Sequence, residues 1–146
     1  MFHSSPTGCW ENKDEIGVDA RGGTCHKPFH HLFSVRMKVG VFSAILSSVS
    51  LPRALDHIAG LGCDTVELGT GAYPGNAHCK PAELLAGKAK LDRFRDIISG
   101  SGLEISSLSC HGNPLHPNKK IASAHHKVFQ DTVRLAATLG VPVVTT

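Results

Sequence analysis

From Met37 onward the chain alternates short apolar runs with longer stripes of helical period. Residues 38–42, carrying Val39, Val41 and Phe42, predict a first strand. Ser50 is placed to cap a helix over residues 51–61, with Pro52 tolerated in its first turn. Leu51, Leu55, Ile58, Ala59 and Leu61 cluster on its buried side, and Gly62 is placed to end it in a left-handed turn. Residues 64–68 predict a second strand, which runs out into a long Gly-rich loop over 69–78. Pro81 opens a short helical piece over 82–86. A longer helix follows over 88–99, with Leu91, Phe94, Ile97 and Ile98 inward, and Gly100 and Gly102 stop it. Residues 104–109 predict the third strand, broken by the turn chemistry of residues 110–114. A long helix then runs from about Asn118 to Leu139. Its core candidates are Ile121, Val128, Val133, Leu135, Ala136 and Leu139, and Gly140 ends it. Residues 141–146 start a fourth strand.

The turns reveal a repeat. Residues 61–63, 101–103 and 139–141 each centre on a glycine, end a helix and feed a strand. They recur about every 40 residues, a plausible period for one strand–helix unit of a (β/α) barrel. Strand then helix, repeated, demands a parallel sheet with right-handed crossovers. The predicted fold class is α/β: the N-terminal half of a (β/α)8 TIM barrel, with about four parallel strands and three main helices. A closed barrel takes about 250 residues, against 146 here, so the reading is a truncated barrel over residues 37–146. Its helices cover one sheet face. The other, lined by residues such as Val39, Val41, Val66, Leu68, Ile105 or Leu108 according to register, is the interior of a closed barrel. That exposed face and two open edges predict self-association or aggregation.

Residues 1–36 break the rhythm. They hold Pro6, Gly8, Gly17, Gly22, Gly23 and Pro28 with little apolar periodicity, and they read as a mostly disordered leader. Cys9, Cys25, His26, His30 and His31 lack the two close ligand pairs of a small zinc module, so no metal is assigned there. Residues 39–49, after Met37 and Lys38, have the charge-then-apolar order of a signal peptide. They are too short to span a membrane, and a buried strand plus its loop fits the rhythm that follows. Five cysteines, an odd number with no Cys-x-x-Cys pair, point to a reduced, cytoplasmic setting. The net charge is +3 with scattered Lys and Arg, which argues against nucleic acid as a partner.

The candidate chemistry sits where strands end. His111 lies where the third strand gives way to a loop, and in a parallel α/β protein ligands bind at that edge. It reads either as a water-facing loop histidine or as a group that binds a metal, binds a hydroxyl or shuttles a proton. Glu67 lies near the end of the second strand. A buried glutamate there needs a cation, a donor or a metal, and a structural ion pair with Lys or Arg is the plain alternative. His78, in the Gly-rich loop, reads as a solvated side chain or a ligand-binding one, and His116 follows in the third loop. Gly69, Gly71 and Gly75 match neither a P-loop nor a dinucleotide fingerprint, and they mark a backbone that needs freedom. Lys119, Lys120, His125 and His126 read as the exposed face of a helix.

Residues 37–42, 66–79 and 108–117 together resemble the xylose-isomerase-like TIM barrels, more narrowly the sugar phosphate isomerase/epimerase group. The match runs in order from Met37 to Thr146; residues 1–36 have no counterpart in it. The resemblance implies an enzyme acting on a small sugar, sugar phosphate or polyol. A divalent cation (Mn, Mg, Co or Zn) polarises a carbonyl or hydroxyl while acid–base groups move a proton between neighbouring carbons. On this resemblance Glu67 and His111 are the catalytic candidates, and His78, Asn113 and His116 the substrate-binding ones. The principal metal ligands of epimerase-like members come from later strands, so no metal ligand is assigned and the chain alone is expected to be inactive. A non-catalytic half-barrel is one alternative. A zinc-dependent apurinic endonuclease relative is another, which keeps His78 and His111 open as ligands.

Overall fold

The computed structural model describes residues 37–146. The leader and its Cys9, Cys25, His26, His30 and His31 cluster lie outside the described residues. The described chain runs β1 (Gly40–Phe42), α1 (Leu51–Gly60), β2 (Thr65–Gly69), α2 (Pro81–Leu85), α3 (Lys88–Ser101), β3 (Glu104–Ser109), α4 (Lys119–Leu139) and β4 (Val144–Thr145). A 3₁₀ turn over Ser43–Leu46 follows β1. The strands form one parallel sheet in the order β1-β2-β3-β4. Sequential order without a reversal is the plan of a barrel wall, not of a doubly wound sheet with its switch point. The chain is therefore an α/β protein of half-barrel-like form.

Burial explains which face the helices take. Leu55 and Ile58 of α1, Phe94 of α3, and Leu135 and Ala136 of α4 share one buried cluster with Val66, Leu68 and Leu108 of the sheet. Val41, Ile105 and Val144 pack against the same cluster. Complete burial of a Leu, Ile or Val side chain is worth about 1.5–3 kcal/mol, so this layer holds the helices to the sheet. Side chains alternate along a strand, which sends Thr65, Glu67, Ser107, Ser109 and Thr145 to the opposite face. This corrects the expectation for the barrel interior. Val41, Val66, Leu68, Ile105 and Leu108 belong to the helix side, and Val39 lies before β1, exposed. The other face carries hydroxyls and a carboxylate.

A bulge makes this arrangement possible. Val66 pairs with Ile105 and Glu67 with Ser107, so Ser106 is an extra residue in β3. Its hydroxyl donates to the Val66 carbonyl at 3.3 Å. The extra residue resets the alternation, so that both Ile105 and Leu108 face the helices.

Helix ends follow the glycines. Gly62, Gly102 and Gly140 have φ of 77°, 73° and 73°, the left-handed turn that lets a helix stop and a strand begin. Three expectations about helix faces need correction. Leu61 is exposed because it lies beyond the last turn of α1. Val133 is exposed because the buried stripe of α4 runs through Asp131, Thr132, Leu135 and Ala136. Ile121 is exposed because the buried stretch begins later in the helix.

Candidate functional site

Glu67 lies two residues before the end of β2, on the polar face. Its Oε1 accepts from the Ser109 hydroxyl at 2.5 Å and from the Thr145 hydroxyl at 3.3 Å. The structural ion pair considered from sequence is not formed among the described residues; two hydroxyls from β3 and β4 take that role. Neither bond engages Oε2. The carboxylate is thus anchored by one oxygen and presents the other, the arrangement a hydrogen-bond acceptor or general base needs.

The loop after β2 continues the sheet's ladder. The Thr70 amide donates to the Ser109 carbonyl at 2.8 Å, and the Tyr73 amide donates to the His111 carbonyl at 3.1 Å. The buried Thr70 hydroxyl reaches the same Ser109 carbonyl at 2.9 Å and lies 2.8 Å from the Thr132 hydroxyl of α4. These contacts clamp the β2 and β3 ends to one helix. Gly71 is required at its place: a Cβ there would stand 2.9 Å from Val128 Cγ1.

His111 is exposed just beyond β3, at the same sheet edge as Glu67. Asn113 and His116 shape the loop that follows. The Asn113 Oδ1 accepts from the Leu115 amide at 2.9 Å, and the His116 Nδ1 accepts from the Asn118 amide at 3.0 Å. Their acceptors are therefore committed to backbone, which leaves the Asn113 side-chain amide and the His116 Nε2 for a ligand. His78 is not the solvated side chain considered from sequence. It is 8% exposed, and its Nε2 donates to the Val49 carbonyl at 2.9 Å. A carbonyl can only accept, so Nε2 carries the proton. His78 ties the loop after β2 to the loop before α1.

His125 also departs from the reading as an exposed helix residue. Its Nδ1 accepts from the Asn113 amide at 2.8 Å, and the Tyr73 ring meets it edge-on at 5.8 Å. In the apolar cluster, burial pushes the Cys79 thiol up to about 12. Burial also raises the Cys110 thiol, partly opposed by a hydrogen bond with Thr132.

Glu67 and His111 thus share the C-terminal edge, linked through Ser109 and the loop ladder. His78, Asn113 and His116 support the surrounding loops. Ser109 and Thr145 are not among the candidates drawn from sequence, although Ser107, Leu108 and Ser109 alternate polar–apolar–polar and so place a hydroxyl beside Glu67. A cavity of about 130 Å³ between Lys80, Glu83, Val128 and Asp131 includes none of the five candidates. It is below the ~300 Å³ at which small-molecule pockets begin. No three His, Cys, Asp or Glu side chains among the described residues form a metal-holding group. These residues do not by themselves fit the divalent centre that the resemblance implies.

No helix among the described residues is long and apolar enough to cross a membrane. No family model matches the chain. An uncharacterized protein from Bacillus subtilis, YfiH, is 31% identical over 105 residues, which are 72% of this chain and 33% of that protein. The chain thus spans about a third of the length of the curated relative that it matches.

Proposed function

We propose that this chain forms part of a xylose-isomerase-like barrel of the sugar (phosphate) isomerase/epimerase kind. Its substrate is a small sugar, sugar phosphate or polyol. The observation that carries this reading is Glu67, with Oε1 held by Ser109 and Thr145 and Oε2 left over at the C-terminal edge of a polar sheet face. A sugar offers hydroxyls to accept and a proton to remove beside a carbonyl, and such a carboxylate suits both tasks. His111 is the second acid–base group, exposed at the same edge. Ligands for a divalent cation lie outside the described residues in this reading, so no step here is assigned to a metal. A reducing, cytoplasmic setting agrees with the free thiols of Cys63, Cys79 and Cys110.

The test uses the Bacillus subtilis relative and a chimera in which the 105 residues of this chain that match it replace their counterparts. Each is incubated in D2O with aldoses, ketoses and their phosphates in the presence of Mn²⁺. Proton transfer then writes deuterium into the sugar, which NMR reads. Glu67→Gln in the chimera should lower turnover by about 10²–10⁴. No exchange on any sugar by either protein, or full exchange by the variant, contradicts the reading.

A further inference from the structure

We propose that Tyr73 is a ligand-stacking residue at the rim of the Glu67 site, where its ring takes the apolar C–H face of a small sugar or polyol. This rests on the reading of Glu67 as a sugar-facing carboxylate.

Tyr73 is 75% exposed, yet its position is defined. Its amide is tied to the His111 carbonyl at 3.1 Å. Its ring meets the His125 ring at 5.8 Å with 60° between planes, the edge-on geometry aromatic pairs favour. His125 is itself held, because its Nδ1 takes the Asn113 amide proton. The backbone pays a strain to aim this ring. Ala72, immediately before it, has φ of 59°, the one positive value at a non-glycine among the described residues. A turn follows at once, with the Gly75 amide donating to the Ala72 carbonyl at 3.2 Å. On the other side Gly112 closes in, since a Cβ there would stand 3.0 Å from His125 and 3.2 Å from Ala72. An exposed aromatic ring has little reason to be braced from two loops and a helix for stability alone.

The ring and the carboxylate belong to one sheet edge. The bonds from Thr70 to Ser109 and from Tyr73 to His111 are successive ties between the same two chain segments, and Ser109 also holds Glu67. A sugar ring has hydroxyls around its girdle and C–H bonds on its faces. A carboxylate with a free oxygen and a flat, exposed aromatic ring at one sheet edge answer both features, and neither answers a simple anion.

Tyr73 is the chain's only tyrosine, so ring-¹³C tyrosine yields one assigned set of signals. The full chain is titrated with D-fructose, D-xylose, myo-inositol and fructose 6-phosphate. The Tyr73 ring signals should shift and saturate with at least one of them. Tyr73→Ala should weaken that binding about three- to tenfold, and Tyr73→Phe, which keeps the ring, should retain it. Glu67→Gln should weaken it independently. A sugar that binds with the ring signals unmoved and with unchanged affinity in Tyr73→Ala overturns the stacking role and leaves the Glu67 reading standing. Absence of binding by all four probes overturns the sugar reading and this inference with it.

Discussion

Cys79 and Glu67 are polar side chains a few turns apart in sequence with opposite environments. Cys79 is 1% exposed among apolar neighbours, and burial pushes its thiol up to about 12. An unfolded thiol titrates near ~8.5. Below that value the thiol is neutral in both states and its burial contributes in full. As pH rises toward about 12 the unfolded chain gives up its proton first, so the contribution is lost. The stability gap between the native chain and Cys79→Ala should therefore narrow from about pH 8 to about pH 10.5, by no more than ~1.4 kcal/mol per pH unit. Urea unfolding at the two pH values measures it, and a constant gap contradicts it. Glu67 was legible in sequence as a carboxylate needing a partner. Its partners were not, because Ser109 and Thr145 lie 42 and 78 residues away and only the sheet register brings them together.

At the scale of elements, helix endings were legible and helix beginnings only in part. A glycine past the last apolar position has one economical conformation, and Gly62, Gly102 and Gly140 all adopt it. Caps depend on a rotamer that composition does not specify. Ser50 occupies the N-cap position of α1 but makes no capping bond, whereas the Asn118 Oδ1 accepts from the Lys120 amide at 3.0 Å at the start of α4. Asn118→Ala should therefore cost about 1 kcal/mol, and Ser50→Ala only a few tenths. Thermal or urea unfolding of the two variants separates them; equal losses would show that the cap bond carries no stability. The same limit explains Ile121 and Val133. Their apolarity is visible in sequence, but where the sheet stops supporting α4 is not.

For the whole molecule, the order of strands and helices followed from periodicity, and the assignment of sheet faces did not. Val66 to Leu68 alternates directly, but Ile105 to Leu108 alternates only once the Ser106 bulge is counted. With the bulge placed, the apolar residues line the helices and the hydroxyls gather around Glu67. This removes one motive for self-association, an apolar open face. It leaves the other, since β1 and β4 each have a single sheet neighbour among the described residues. In the proposed function this polar face, through Glu67, meets a sugar. The most direct test is glutamate labelled at the side-chain carboxyl carbon, which yields signals from Glu11, Glu15, Glu67, Glu83 and Glu104. Glu67→Gln assigns the one of interest. During titration with D-fructose or fructose 6-phosphate the Glu67 signal should move saturably while those of Glu83 and Glu104 stay in place. A saturably bound sugar that leaves the Glu67 signal unmoved, or shifts all five alike, would rule out Glu67 as the sugar-facing group.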